Sequence, residues 1–380
     1  MSWIYFNEEH IMLRNMVRDF ANNEIKPLAQ KIDEEGLFPE ESIKKMADLG
    51  LMGIPWPSKY GGNNMDTLSL VIAIEEIGKV CASTAATMMA HTSLGTAPIM
   101  AFGTDEQKEK YLPNLATGKT IGAFGLTEPN AGSDAGNTET AAIIDGDNFI
   151  INGQKAFCTN AGVAGTIIFT ARLIDNNQDK GISAFIVESD TPGLVIGKAE
   201  KKMGWKGSDT RSIFFEDMVI SKHKMLGLPS KGFKQFLKTL VGGRITIGAL
   251  SLGTAQGAYE LALKYSKERE AFGKQIHNFQ AISFKLADMA TYIESAKHLV
   301  YHAAWLKDQG QPVIKEAAMA KLFASEMAMK ICTEAIQIHG GYGYIKEYDV
   351  ERFFRDAKIL EIGEGTSEIQ RIIISRNILT

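Results

Sequence analysis

Cysteine is scarce in this chain: Cys81, Cys158 and Cys332 are the three in 380 residues, and none forms a CxxC pair. That argues against a disulfide framework or a cysteine-rich metal site and fits a reducing cytoplasm. No apolar run approaches the ~18 residues that span a bilayer, so no membrane embedding is expected. The opening Met1-Ser2-Trp3-Ile4-Tyr5-Phe6 lacks the basic and apolar regions of a secretory signal, and a cytoplasmic location is the expectation. Net charge is −4 without a dense Lys/Arg cluster, which leaves no evident nucleic-acid surface. Several catalytic loops are missing too. No GxGxxG follows a strand, and GxxxxGK[ST], HExxH and GxSxG do not occur. None of the seven histidines stands at the Glu-x-x-His spacing of di-iron bundles, so no metal is expected. The remaining chemistry must rest on carboxylates or on a cofactor held in another way.

What is present has three grammars. With 45% hydrophobic and 23% charged residues, the chain is of soluble globular type, long enough for roughly two to three domains. From Asn7 to about Lys119 the pattern is helical, with Asn7 as cap and Leu13, Met16, Val17 and Phe20 on one face. Thr104 and Gln107 form a capping box. Near Thr120, short β-type runs begin: Ile121–Leu126, Ala141–Ile151, Thr166–Arg172, Ile182–Val187, Leu194–Ile196 and Arg211–Phe215. Asp145-Gly146-Asp147 reads as a hairpin turn. After about Gly232 helices return, and Ile282, Leu286, Met289, Ile293, Ala296, Val300 and Ala303 form a bundle seam. The expected organisation is α–β–α, with boundaries at 1–119, 120–231 and 232–380.

Four segments can carry chemistry. Gly363-Glu364-Gly365-Thr366-Ser367-Glu368 places a carboxylate between glycines just before a helix, which Ser367 and Gln370 are expected to cap. A solvent-exposed turn whose Glu favours the helix dipole fits the same pattern. Phe124 to Asp134 is a strand running into a turn rich in Gly and hydroxyl groups, a place to read a heterocycle edge or an ordinary sheet turn. Lys155-Ala156-Phe157-Cys158-Thr159-Asn160 resembles another strand end. Gln337 to Gly343 looks like a helix closed by glycine.

Together these segments resemble the acyl-CoA dehydrogenase family, in its short-chain, butyryl-CoA dehydrogenase-like branch, from about Asn7 to Ile378. Further matching pieces are Pro57 to Gly62, Arg269 to Lys274, Gln280 and Arg355 to Lys358. The resemblance implies an α+β multidomain fold: an N-terminal helical domain, a central β-barrel-like domain and a C-terminal four-helix bundle. It implies FAD as cofactor and Glu364 as the base that takes the α proton of an acyl thioester, with the β hydrogen leaving as hydride to the flavin. The thioester carbonyl would be polarised by the backbone N–H of Glu364 and by the flavin ribityl chain. By the same resemblance Phe124, Leu126, Thr127, Phe157 and Thr159 would face the flavin. Ser133 and Arg244 would contact the CoA side, Ser133 touching the cofactor as well, and Gly365 would lie against the substrate. Arg269, Phe272, Gln280, Gln337 and Gly341 would hold the pyrophosphate and adenosine, partly from a neighbouring subunit, and Thr366 and Glu368 would also touch FAD. A homotetramer, built as a dimer of dimers, and an electron-transfer flavoprotein as acceptor are implied partners.

Two departures stand out. Gly363 occupies the place where many members have Tyr, which suggests a wider acyl pocket and a branched or alicyclic acyl chain. Val241 stands where relatives often carry Asp, three residues before Arg244, so one polar CoA contact is missing. Some relatives carry the base on the helix near Gly243; here that helix offers only Gly242 and Gly243. His91 is either a second polar group near the acyl chain or a locally bonded structural histidine. The competing readings are an acyl-CoA oxidase-like enzyme using oxygen and a non-catalytic scaffold retaining the fold.

Overall fold

The computed structural model describes residues 4–379. The first helices are α1 (Glu8–Phe20), α2 (Ala29–Glu35), α3 (Glu40–Asp48), α4 (Thr67–Gly78), α5 (Ala82–Met89), α6 (Ala97–Phe102) and α7 (Asp105–Ala116). Asn7 caps α1 in a box with His10, and Thr104 caps α7 in a box with Gln107, each pair satisfying two otherwise unpaired N–H groups. Leu13 and Val17 turn inward from α1, as their spacing predicts. Every residue of α4 is buried, the mark of a helix surrounded on all sides. A π-helical stretch, Ala90–Thr96, joins α5 to α6 and crosses the first strand. There a Cβ at Gly95 would stand 2.5 Å from the Gly122 carbonyl carbon, so the two backbones meet only because Gly95 lacks a side chain.

The sheet comprises β1 (Ile121–Gly125), β2 (Ala141–Asp145), β3 (Asn148–Thr159), β4 (Ala164–Asp175), β5 (Gln178–Glu188), β6 (Leu194–Ala199), β7 (Thr210–Ser221) and β8 (Met225–Leu226). Its order is β6-β7-β3-β2-β4-β5-β8, with β1 parallel to β4 off that path. The β2–β3 hairpin turns at Gly146-Asp147 with Gly146 at φ +55°, as the Asp-Gly-Asp run predicts. Phe149, Phe169, Phe185 and Phe215 fill the sheet's own core. The last ladder is longer than the Arg211–Phe215 run suggests. Beyond Phe215 the chain kinks at Asp217, at φ +46°, and then returns Met218 and Ile220 to the core. The alternation that marks a strand is broken there, so the sequence pattern stops early.

After the sheet come α8 (Gly232–Glu268), a small hairpin of β9 (Glu270–Ala271) and β10 (Lys274–Gln275), then α9 (Gln280–Asp308), α10 (Ile314–His339), α11 (Val350–Lys358) and α12 (Ser367–Leu379). The α9 seam is buried from Leu286 to Ala303, with Ile282 partly covered. One apolar core joins the N-terminal and C-terminal helices, including Val71, Ile74, Leu250, Val300 and Ala320. A smaller core packs one face of the sheet against both α7 and α8, where Phe124 stacks on Phe236 at 4.2 Å. In this packing α10 lies against both α8 and α12, and β1 lies against the Ala90–Thr96 stretch.

Candidate active site

Glu364 precedes α12 in a left-handed bend, at φ +53°, followed by Gly365 at φ +95°. A non-glycine residue holds that conformation at a cost of order 1–3 kcal/mol, met only when its surroundings fix it. The residue is partly exposed, yet both carboxylate oxygens are buried and have no hydrogen-bond partner among the described residues. They occupy the space left by Gly243 of α8, where a Cβ would stand 1.7 Å from Oε2. Burial pushes the Glu364 carboxyl up to about 7, against the opposing pull of Arg244 and Lys321. Arg244 is itself buried, with its Nε unpartnered, and burial lowers its pKa while Glu364 raises it. Burial likewise brings Lys321 of α10 down to about 8, opposed chiefly by the Glu364 carboxylate.

Two buried side chains fix the carbonyl that follows the acid. Lys321 Nζ donates to Gly365 O at 2.9 Å, and Gln370 Nε2 donates to the same oxygen at 2.8 Å. The cap of α12 lies one residue earlier than the sequence suggests. The Ile369 N–H donates to Thr366 Oγ1 at 3.3 Å, while Ser367 Oγ, expected as the capping atom, is buried without a partner. Gln370 is drawn away from capping by the Gly365 carbonyl. Glu368 lies exposed in the first turn of α12, where the backbone N–H groups lower its pKa.

Past the end of β1, Leu126 and Thr127 are tied to the end of β3. The Ala156 N–H donates to Thr127 O at 2.8 Å. Beneath them Lys155 Nζ meets Glu128 Oε1 at 2.6 Å and Thr170 Oγ1 at 3.2 Å, with both ends of the ion pair buried. Phe157 follows at φ +55° with 67% of its surface exposed. A large ring held outward by a left-handed backbone at a rigid strand end suits a flat, mainly apolar heterocycle. Thr159 closes β3, half-buried. The Phe124 ring is taken up by its stack on Phe236. Ser133 lies exposed in the β1–β2 connection, whereas Arg244 is grouped with Glu364. His91 is a bridge: it accepts from the Gly122 N–H at 3.0 Å and meets Leu115 O at 3.0 Å, and burial takes its pKa down to about 4.

A cavity of about 450 Å³ opens where α8 and α10 end. Tyr265, Arg269, His339, Gly341 and Tyr342 line it, and the Arg269 guanidinium sits 5.6 Å from the Tyr342 ring centroid. Phe272 is 96% exposed at the tip of the β9–β10 hairpin, and Gln280 and Gln337 are exposed at helix ends. The cationic and aromatic lining suits a phosphate-bearing aromatic group.

Sequence reasoning passed over Lys321, the nearness of Arg244 to Glu364, and the Lys155–Glu128 pair. Lys321 had a visible signal: it lies four residues from both Ala317 and Ser325, on the buried stripe of α10. Lys155–Glu128 had none, since the pair joins β3 to the β1–β2 connection, 27 residues away in the chain.

Comparison with known proteins follows the same division of the chain. Family models match residues 7–119 (acyl-CoA dehydrogenase, N-terminal domain), 123–218 (middle domain) and 230–379 (C-terminal domain). The short-chain specific acyl-CoA dehydrogenase of Clostridium acetobutylicum is 51% identical over 370 residues, covering 97% of this chain and 98% of its own. Butyryl-CoA dehydrogenase from Megasphaera elsdenii superposes with a TM-score of 0.96 at 43% identity, covering 100% of both chains. A chain solved in work on the electron transferring flavoprotein of Acidaminococcus fermentans and flavin-based electron bifurcation gives 0.96 at 46% identity, again over 100% of both.

Proposed function

The chain belongs to the acyl-CoA dehydrogenase family, and on that footing we propose that Glu364 is the base that removes the α proton of the acyl thioester. The enzyme is an FAD-dependent oxidoreductase of the short-chain, butyryl-CoA type. The observation that carries the base assignment is the buried, unpartnered Glu364 carboxylate. A buried polar group left without a partner costs free energy, and a substrate hydrogen arriving there relieves it. A carboxyl near 7 is also closer in basicity to an activated α carbon than an exposed glutamate is. Arg244 and Lys321 keep the ionised form accessible.

The exposed Phe157 ring and the Arg269 cavity fit FAD, which when bound accepts the β hydride. Leu126, Thr127, Phe157 and Thr159 are assigned to its ring system, with Phe124 and Ser133 beside them. Arg269, Phe272, Gln280, Gln337 and Gly341 are assigned to its pyrophosphate and adenosine, and Thr366 and Glu368 to a further contact. The Glu364 N–H is assigned to the thioester carbonyl, with Gly365 against the substrate and Arg244 and Ser133 on the CoA side. The high exposure of Phe272 supports completion of the site by a neighbouring subunit, in a homotetramer. The three matched segments support domains at 1–119, 120–231 and 232–380. The likeness to a chain from the electron transferring flavoprotein study supports such a protein as electron acceptor.

We assign a branched or alicyclic acyl chain to the pocket. A Cβ at Gly363 would meet only the Ile359 carbonyl, at 3.4 Å, so nothing replaces at that first atom what many relatives carry. The test is anaerobic flavin bleaching by a panel of linear, branched and ring acyl-CoAs. Faster bleaching by the bulky members supports the assignment, and clear preference for the linear four-carbon chain refutes it. Slow reoxidation of the bleached enzyme in air, with fast reoxidation by an electron-transfer flavoprotein, separates it from an oxidase.

A further inference from the structure

Lys321 is fully buried in the middle of α10, flanked by Ala320 and Leu322, and its one hydrogen bond among the described residues goes to the Gly365 carbonyl. Burying an ammonium is costly unless an anion faces it. Two carboxylates within its electrostatic reach are already paired elsewhere. Glu326 meets Arg371 at 2.7 Å, and Glu361 meets Lys358 at 2.6 Å. That leaves Glu364, whose oxygens have no partner. Arg244 approaches the same carboxylate from α8, and Lys307, from the end of α9, reaches Gly242, where a Cβ would be 3.4 Å from its Nζ. A neutral donor would serve the carbonyl equally well, and Gln370 already provides one. The charge of Lys321 therefore needs its own explanation.

We propose that Lys321 is a positioning residue for the base: it pins the Gly365 carbonyl so that Glu364 keeps its left-handed bend, and its charge keeps the carboxylate form within reach during turnover. The inference rests on Glu364 being the base. Lys321 touches no reacting atom; it works through the bend and through the field at the carboxylate. Gln370 shares the mechanical part, which leaves the electrostatic part to Lys321.

The test is the pH dependence of anaerobic flavin bleaching by butyryl-CoA in the FAD-loaded enzyme, for wild type, Lys321→Met, Lys321→Gln and Lys321→Arg, with Glu364→Gln alongside. Loss of a nearby cation moves a carboxylate by about one pH unit or more. The acid limb of Lys321→Met and Lys321→Gln should therefore shift upward by about that amount, and bleaching at pH 7 should fall about fivefold. Lys321→Arg should restore most of both. If Lys321→Met does not fold, Lys321→Gln, which keeps a donor without the charge, carries the measurement. A uniform fall in rate without movement of the limb would reduce Lys321 to a structural role and overturn the proposal, provided Glu364→Gln no longer bleaches. Normal bleaching by Glu364→Gln would instead remove the base assignment itself.

Discussion

Gly243 and Glu364 share one space: the carboxylate Oε2 lies where the glycine's Cβ would be, 1.7 Å away. The missing side chain on α8 is thus a requirement of the acid that lies against it. One helix position and one bend position cannot both carry bulk.

Adding a single methyl group at that point should therefore displace the base without touching the cofactor's surroundings. Gly243→Ala is expected to lower kcat about a hundredfold, the cost of roughly 1 Å of misplacement, while the flavin spectrum stays unchanged. Steady-state turnover with butyryl-CoA decides; a kcat within twofold of wild type would mean that the carboxylate moves freely.

Glu364 should also leave a signature in stability. Its folded carboxyl lies above the ordinary value of 4.5, at about 7, so between these limits the folded state binds the proton more tightly than the unfolded chain. Stability is then lost as pH rises through that window, and the loss persists above it. At about 1.4 kcal/mol per pKa unit, the carboxylate costs the folded protein about 3 kcal/mol at pH 8. Glu364→Gln should gain that much relative to wild type between pH 4.5 and pH 8 in denaturant unfolding. An equal difference at both pH values would contradict the burial argument.

The Lys155–Glu128 pair predicts a linked loss of stability and cofactor. Lys155→Met leaves a buried carboxylate, which in general costs about 3–5 kcal/mol. Glu128 still accepts the Glu139 N–H at 2.6 Å and the Thr140 N–H at 3.2 Å, which places the loss toward the lower figure. Because the pair underlies Leu126 and Thr127, the flavin-to-protein ratio after gel filtration should drop with it. Full retention of flavin would separate the pair from the cofactor site.

His91 should matter to acid stability and not to the proton transfer. Its folded pKa, about 4, lies below the ordinary 6.5, so its contribution is present above that value and is lost as pH falls through 6.5 toward 4. Weakening the Gly122–His91–Leu115 bridge with His91→Gln should lower the melting temperature yet leave the acid limb of bleaching in place. A moved limb would give His91 a part in the chemistry.

The sequence shows the large division clearly because each part has its own pattern: four-and-three steps along α9, short unbroken apolar runs in β4 and β5, which are buried on both faces, and an Asp-Gly-Asp turn between β2 and β3. Glycines on both sides and a helix start mark Glu364 as a candidate, and the family resemblance is what sets it apart from an exposed turn. It misplaces the α12 cap, since Thr366 and Ser367 are both competent and the choice depends on Gln370 being drawn to Gly365. It hides the cations near Glu364 altogether. Arg244 and Lys321 come from two other helices, and only packing in the joint helical core sets them around one carboxylate.

The base assignment is tested most directly by the rate of anaerobic flavin bleaching in Glu364→Gln, with butyryl-CoA and at equal flavin content. General bases contribute about 10²–10⁴ in rate, so the variant should keep its yellow colour, bind the ligand and bleach at least a hundredfold more slowly. Bleaching at the wild-type rate would show that another group takes the proton.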